Sequence, residues 1–335
     1  MECPGIKGVN VGRAEKPGSD LSRTYGEDLA AITRWGFNSI RAVVQNDFLP
    51  SGWEQDYLPP EQLIYLDQLL EWCGQNRLRL ILALDGNPCR PENGAIDMDE
   101  VSRITRFWAI LAARYQGKNH GLCFDLLDGP DLLKDEDWNL LAGDITRQIR
   151  TKDQVHTIII GSNRKAHPGS FGGLLPVEDA NTLYSFHFFE PFFFTHQHVS
   201  CIPWQEYFPA EVHYPGRIEN ILKISLEHLE DAAFVKLAQE QDKFWSKQTL
   251  KDHLLPVLEF REKYAAQIFC GAWGASRHAP RFERLFWHKD VAELFKECGI
   301  PWAVQDYRSA DFGLITQEDE APEEFDGDLL KILTE

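Results

Sequence analysis

Short apolar segments alternate along this chain with longer amphipathic segments. The short segments are rich in β-branched residues and almost continuously apolar, as is typical of strands that are covered on both faces. They are Ile6 to Val11, Ser39 to Val44, Arg79 to Leu84, Leu122 to Leu127, Thr157 to Ile160, Thr182 to Phe188, Gln267 to Gly271 and Trp302 to Gln305. Strands that alternate with helices favour repeated βα units, and this number of units predicts a (β/α)8 TIM barrel, an α/β fold.

The longer segments show helical periodicity. In Glu61 to Asn76, leucines recur at intervals of three and four residues, which predicts a helix with one buried face. Similar patterns predict helices at Met98 to Tyr115, Glu136 to Arg150, Lys247 to Tyr264 and Arg281 to Cys298. The segment from Glu190 to Trp245 is too long for a simple loop and predicts an insertion after the sixth strand, with a helix at Ile218 to Leu229. We expect the acidic tail, Thr316 to Asp328, to be a solvated strap.

Length and charge narrow the classes of protein. The chain has 335 residues and no Gly/Ser/Pro linker, which favours a single barrel domain over residues 1–335. Its formal net charge of −18 argues against binding to nucleic acids or to anionic membranes. No apolar segment is long enough to span a bilayer, and the N-terminus lacks the pattern of a signal peptide. Seven cysteines without CxxC spacing indicate buried thiols, and the cellular location stays open.

Several motifs lie where the chemistry of a barrel belongs, at the C-terminal ends of the strands. Residues 36 to 41 read Gly-Phe-Asn-Ser-Ile-Arg, and residues 122 to 130 read Leu-Cys-Phe-Asp-Leu-Leu-Asp-Gly-Pro. Residues 184 to 197 read Tyr-Ser-Phe-His-Phe-Phe-Glu-Pro-Phe-Phe-Phe-Thr-His-Gln, and residues 271 to 274 read Gly-Ala-Trp-Gly. In this order, over about residues 6 to 314, they resemble the strand motifs of glycoside hydrolase family 5, the cellulase-like family.

The resemblance implies a retaining glycosidase with two catalytic glutamates, one as acid/base and one as nucleophile. Gly129 stands where the family's Asn-Glu-Pro has its glutamate, and Ala272 stands where its Gly-Glu-Phe-Gly has the other. A hydrogen atom and a methyl group can neither protonate a leaving group nor form a glycosyl ester. We therefore expect a catalytically inactive relative, a pseudoenzyme whose barrel binds a β-glucan or related polysaccharide, or else a protein partner.

Other strand-end residues would line a binding site. We expect ligand contacts from Arg41, Asp85, Asp128, His187, Trp273, Gln305, Asp306, Tyr307 and Trp53, with Trp53, Trp273 and Tyr307 as surfaces on which sugars stack. Arg41 and His187 match the family's motifs, although hydrogen bonds to barrel carboxylates would also retain them. Phe189, Asp85 and Gln305 depart from the family's residues.

Two alternatives remain. The chain could be an active glycoside hydrolase that uses displaced carboxylates, namely Asp128, Asp85, Asp306 and Glu190, since an inverting pair tolerates a wider separation than a retaining pair. His196, His198 and Cys201 lie close together in the sequence, but their spacing does not match a known zinc pattern. We expect neither a metal nor a cofactor.

Overall fold

The computed structural model of the chain describes residues 5–13, 21–45, 57–85, 96–118, 121–199, 202, 204–209, 211–316 and 324–335. The chain divides into two compact units, each described by itself below. The first unit comprises Met1–His187, Pro256–Ala272 and Pro301–Ala303, and the second comprises Phe188–Leu255, Trp273–Ile300 and Val304–Glu335. The single domain expected from the sequence stays a prediction.

A closed barrel of eight parallel strands confirms the predicted fold. In chain order these strands are β1 (Lys7–Arg13), β2 (Ser39–Val44), β3 (Arg79–Leu84), β4 (Leu122–Asp125), β5 (Thr157–Gly161), β6 (Thr182–Phe188), β9 (Gln267–Trp273) and β10 (Trp302–Val304). Four shorter strands form two antiparallel pairs, β7 (Gly216–Arg217) with β8 (Phe244–Trp245) and β11 (Ile315–Thr316) with β12 (Glu324–Phe325). The order around the barrel is β1-β10-β9-β6-β5-β4-β3-β2.

The helices follow the predicted periodicity. They are α1 (Leu21–Arg34), α2 (Pro60–Gln75), α3 (Met98–Tyr115), α4 (Asp135–Arg150), α5 (Asn163–Ala166), α6 (Phe192–Thr195), α7 (Ile221–Glu227), α8 (Ala232–Gln241), α9 (Lys247–His253), α10 (Leu255–Tyr264), α11 (Arg281–Cys298) and α12 (Gly327–Thr334), with two 3-10 turns at Pro168–Gly173 and Gln205–Tyr207. The Asp97 side chain caps α3 by accepting hydrogen bonds from the backbone N–H groups of Asp99 and Glu100. The helix predicted over Lys247 to Tyr264 is interrupted at Leu254, because Pro256 cannot continue an α-helix and instead suits the first turn of the next one.

The barrel interior is a packed apolar layer. Its members come from seven of the strands or their N-terminal ends, and each is at most 3% exposed: Ile6, Ile81, Cys123, Ile159, Leu183, Phe269 and Ala303. Such layers fill the space that the tilted strands enclose. The barrel is therefore closed by side chains at this level, and polar groups can reach solvent only nearer its ends.

The second unit holds the predicted insertion. The insertion contains α7 and α8, where the sequence predicted one helix, and Tyr214 donates a hydrogen bond from its hydroxyl to Asp290 at 2.7 Å. The end of the acidic tail is not simply solvated, because Asp326 caps α12 and accepts a hydrogen bond from the buried Arg284 at 2.6 Å. Among the described helices, none is long and apolar enough to cross a membrane.

Candidate active site

Arg41 joins two carboxylates inside the barrel unit. Its Nε and Nη2 atoms lie 2.9 and 2.8 Å from Oδ2 of Asp125, and Nη2 also lies 2.7 Å from Oδ1 of Asp128. Arg41 is 2% exposed and Asp125 is fully buried, whereas the Asp128 side chain is 28% exposed. Because both carboxylate oxygens lie within 2.8 Å of one nitrogen, they can be no more than twice that distance apart.

Burial and the neighbouring charges shift the pKa values of Arg41 and Asp125 in opposite directions. Burial alone would lower the pKa of Arg41, but the neighbouring charges of Asp128 and Asp125 raise it, so the guanidinium stays charged. Burial raises the pKa of Asp125 to about 6, although Arg41 pulls it down. The Arg41 guanidinium thus holds one deep carboxylate and one that reaches solvent.

His187 and Asn10 complete the cluster. The Nε2 atom of His187 lies 3.5 Å from Oδ1 of Asp128, and burial lowers the pKa of His187 to about 4, so its ring is neutral at neutral pH. The Asn10 Oδ1 atom accepts a hydrogen bond from Nη1 of Arg41 at 3.1 Å, and its amide nitrogen donates to the Gly271 carbonyl at 3.0 Å. A Cβ atom at Gly271 would lie 3.4 Å from the His187 ring and 3.6 Å from Nε of Arg41, so this position borders the cluster at van der Waals distance.

The two positions assigned to lost glutamates lie next to this cluster. Gly129 directly follows Asp128, has a φ of +71°, and would place a Cβ atom 3.2 Å from the Cα of Lys165. A side chain there would be both strained and crowded. Ala272 directly follows Gly271 on β9 and is 4% exposed.

Asp85 ends the neighbouring strand. Its backbone N–H donates to the Val44 carbonyl at 2.8 Å, and the N–H of Asp128 donates to the Leu84 carbonyl at 2.7 Å. Asp85 is partly exposed, as is Asp128. The first unit therefore places these two aspartates at the ends of adjacent parallel strands, in agreement with the sequence analysis.

The remaining predicted carboxylates belong to the second unit, where each is bound by its own neighbours. The Glu190 side chain accepts a hydrogen bond from Nε2 of Gln241 at 2.7 Å and is 7% exposed. Asp306 is 5% exposed and accepts a hydrogen bond from the Tyr307 backbone N–H at 2.7 Å. Gln305, which precedes it, is partly exposed.

Two of the predicted stacking surfaces need correction. Trp273 is fully buried because its ring packs against Trp287 and Phe295, with ring centroids 6.2 and 5.3 Å away. Tyr307 is 4% exposed. Neither ring offers a face to solvent. Trp53, the third predicted surface, lies outside the described residues.

Sequence reasoning missed Asp125 and Asn10. A signal for Asp125 was present, because it is the one charged residue in the apolar segment Leu122 to Leu127. A charged residue inside a barrel strand has to find a partner there. Asn10 gave no comparable signal, since one amide in a strand is common.

Comparisons with known proteins agree with the fold and the motifs. Residues 6–310 match the family described as Cellulase (glycosyl hydrolase family 5). Endoglucanase C of Acetivibrio thermocellus is 28% identical over 301 residues, covering 87% of this chain and 86% of its own. The crystal structure of the cellulose synthase subunit Z from Clostridioides difficile is 22% identical with a TM-score of 0.78, covering 99% of this chain and 100% of its own. Cel5A of Thermotoga maritima, solved in complex with cellobiose, is 21% identical with a TM-score of 0.76, covering 98% and 97% of the two chains.

The chain belongs to glycosyl hydrolase family 5, a family of O-glycosyl hydrolases, since the family match spans most of its length. The comparisons contradict our expectation of an inactive binding protein. The curated relatives that it matches over most of their length are named endoglucanases or a cellodextrinase, and nothing in the comparisons indicates inactivity. They support the alternative of an active hydrolase. A protein partner stays a prediction.

Proposed function

We propose that this chain is a glycoside hydrolase that cleaves a β-glucan or a related polysaccharide with displaced carboxylates. In this proposal Gly129 and Ala272 occupy the positions of the family's two glutamates, and neighbouring aspartates do the chemistry. Membership of the family and the names of the curated relatives support the reaction class. The observation that carries the proposal is the partly exposed Asp128 carboxylate, held 2.7 Å from Arg41 at the end of a barrel strand.

Asp128 suits the role of a base. Its contact with the charged Arg41 favours the ionised form of the carboxylate, and an ionised carboxylate can accept a proton from water. Burial lowers the pKa of His187 to about 4, so the ring beside Asp128 is neutral at neutral pH and does not compete with Arg41 as a charged partner of that carboxylate.

Asp85 is our candidate for the acid. It ends the strand next to Asp128 and is partly exposed, whereas Glu190 and Asp306 are mostly buried and bound within the second unit. Inverting glycosidases use an acid and a base about 6.5–9.5 Å apart, with a water molecule between the base and the sugar. In its protonated form, Asp85 would donate its proton to the glycosidic oxygen as the bond to the anomeric carbon breaks. Asp128 would take a proton from the water whose oxygen forms the new bond to that carbon.

Arg41 and His187 support this chemistry without taking part in proton transfer. Nη2 of Arg41 donates a hydrogen bond to the Asp128 carboxylate, and Nε2 of the neutral His187 ring lies 3.5 Å from the same oxygen. Both are candidates for contacts with sugar hydroxyl groups.

Release of reducing ends from carboxymethyl cellulose, barley β-glucan, glucomannan and xylan tests the proposal. The wild-type protein should exceed a heat-killed sample on at least one β-glucan, and Asp128→Asn and Asp85→Asn should each lose on the order of a hundredfold in rate. Asp144→Asn is the matched control, since Asp144 is exposed on α4 and pairs only with the nearby Arg147. Wild-type release no greater than that of the heat-killed sample, or full activity in Asp128→Asn, would contradict the proposal.

A further inference from the structure

One of the two carboxylates that share Arg41 cannot reach a substrate. Asp125 is 0% exposed, and its Oδ2 atom accepts a hydrogen bond from Nε of Arg41 and also lies 2.8 Å from Nη2. Its other oxygen, Oδ1, is buried and has no hydrogen-bond partner in the part of the chain that the structure describes. The Asp125 carboxylate thus contacts the Arg41 guanidinium through one oxygen, and its burial keeps it away from a substrate.

We propose that Asp125 is a positioning residue, which acts through Arg41 to set the orientation and the basicity of Asp128. This inference rests on the proposed function, in which Asp128 is the base. Asp125 contacts the guanidinium through Nε and Nη2, and Asn10 accepts a hydrogen bond from Nη1, so the guanidinium is held from two sides while Nη2 donates to Asp128. The bound arginine fixes where the Asp128 carboxylate lies, and small displacements of a reacting group cost rate.

The charge of Asp125 also affects the basicity of the Asp128 carboxylate. A guanidinium shared by two carboxylates stabilises each of them less than an exclusive partner would, and the two negative charges repel each other. Both effects make Asp128 more basic, and a stronger base accepts the proton of water more readily. With an uncharged residue at position 125, Asp128 would be the only one of the two carboxylates left to pair with Arg41. Asp128 would then be a weaker base.

Because of its surroundings, the Asp125 carboxyl group changes charge within the pH range in which activity is measured. The charged or titratable groups that face this cluster are Arg41 from β2, Asp128 after β4 and His187 from β6, and Asn10 from β1 adds an uncharged amide. Burial raises the pKa of Asp125 to about 6, against the pull of Arg41 and with a contribution from Asp128. As the pH falls through about 6, Asp125 becomes neutral and Asp128 should lose basicity.

Kinetics of Asp125→Asn test this role. Asparagine keeps the shape and one acceptor for Arg41 but removes the charge. We expect kcat on cello-oligosaccharides at neutral pH to fall about tenfold with KM within about twofold, and the acid limb of the kcat profile to move to lower pH. Asp153→Asn is the matched control: Asp153 is also fully buried and bonds to His156 at 2.5 Å, but it has no contact with Arg41. Its kcat and pH profile should be those of the wild type.

An NMR titration decides the inference without relying on catalysis. The carboxyl carbon chemical shift of Asp128 in the wild-type protein should be followed against pH. It should show a second inflection at the pH where Asp125 titrates, because the charge of each of two interacting carboxyl groups affects the titration of the other. In Asp125→Asn that inflection should vanish and the pKa of Asp128 should fall. A single inflection in the wild type, or a kcat profile of Asp125→Asn equal to that of the wild type, would overturn the inference. If the wild type shows no hydrolysis, the proposed function fails, and the titration still decides whether Asp125 acts on Asp128.

Discussion

The Nη2 atom of Arg41 lies between two aspartates, 2.7 Å from Asp128 and 2.8 Å from Asp125. One of these carboxylates is partly exposed and the other is fully buried. The arginine therefore links a buried carboxylate to one that solvent can reach.

Loss of Arg41 should destabilise the protein. Arg41→Met leaves the buried Asp125 without its charged partner, and breaking a buried pair in this way costs about 3–5 kcal/mol. The free energy of unfolding, measured by urea denaturation at neutral pH, should fall by about that amount. The loss should be smaller below a pH of about 5, where Asp125 can be protonated.

The matched control for this variant is Arg147→Met, at an arginine that is 72% exposed and pairs with Asp144 on the helix surface. It should leave the unfolding midpoint unchanged, since exposed pairs contribute little. An Arg41→Met midpoint equal to that of the control would show that the Asp125–Arg41 contact does not stabilise the fold.

Gly129 should not tolerate a side chain. Its φ of +71° disfavours any L-residue, and a Cβ atom would lie 3.2 Å from the Cα of Lys165. Gly129→Ala should lower the free energy of unfolding by about 1–3 kcal/mol, measured by chemical denaturation. Gly172→Ala is the control, because nothing lies within 4 Å of a Cβ atom there. Equal stability of the two variants would contradict the backbone geometry at Gly129.

The fold was predictable from the sequence because barrel strands leave a strong pattern. Ser39–Val44, Arg79–Leu84 and Thr182–Phe188 begin and end where the apolar segments predicted, since strands covered on both faces are mostly apolar along their length. The insertion was less predictable. The helix predicted at Ile218 to Leu229 corresponds to α7, whereas α8 lies beyond it and was not predicted, because short helices carry too few residues for a clear periodic pattern.

The site was predictable only in part. The strand ends correctly indicated that Arg41, Asp128 and His187 lie together, because side chains at the C-terminal ends of parallel strands meet. The sequence could not show that the Trp273 ring is fully buried against Trp287 and Phe295, since the direction of a side chain at the end of a strand depends on local backbone geometry. Nor could it show that Asp125 competes with Asp128 for Arg41, which depends on distances across the barrel.

Trp273 should contribute to the stability of the fold and not to the binding of substrate. Its fully buried ring packs against Trp287 and Phe295, so Trp273→Ala should cost about 3–5 kcal/mol of unfolding free energy. KM for cello-oligosaccharides should stay within about twofold of wild type, measured well below the melting temperature of the variant. Phe282→Ala, at a ring that is 85% exposed, should leave stability unchanged. A large rise in KM for Trp273→Ala would contradict this prediction and show that Trp273 contributes to sugar binding.

Stability should fall as the pH falls from about 6.5 to about 4. Burial lowers the pKa of His187 and of His196 to about 4 and that of His288 to about 3. In this range the unfolded chain binds protons that the folded chain does not, so the contribution of each histidine is complete above the upper limit and is lost on acidification. The raised pKa of Asp125, about 6, acts in the opposite direction, because its contribution is present at low pH and is lost as the pH rises through that value.

On acidification, the stability lost through the three histidines should exceed the stability gained through Asp125. Urea midpoints measured at several pH values should decrease toward acid, and His288→Phe should flatten the decrease because it removes one of the buried histidines that must take up a proton on unfolding. Midpoints that rise on acidification would mean that the buried histidines titrate as exposed ones do.

The anomeric configuration of the first product tests the central claim most directly. Hydrolysis of a β-linked cello-oligosaccharide by wild-type protein can be followed by proton NMR before mutarotation sets in. Because Ala272 provides no nucleophile and water is activated by Asp128, the account predicts an α-anomer as the first product, a rate at least about a hundredfold lower in Asp128→Asn, and an unchanged rate in Asp144→Asn. A β-anomer as the first product, or no product at all, would contradict it.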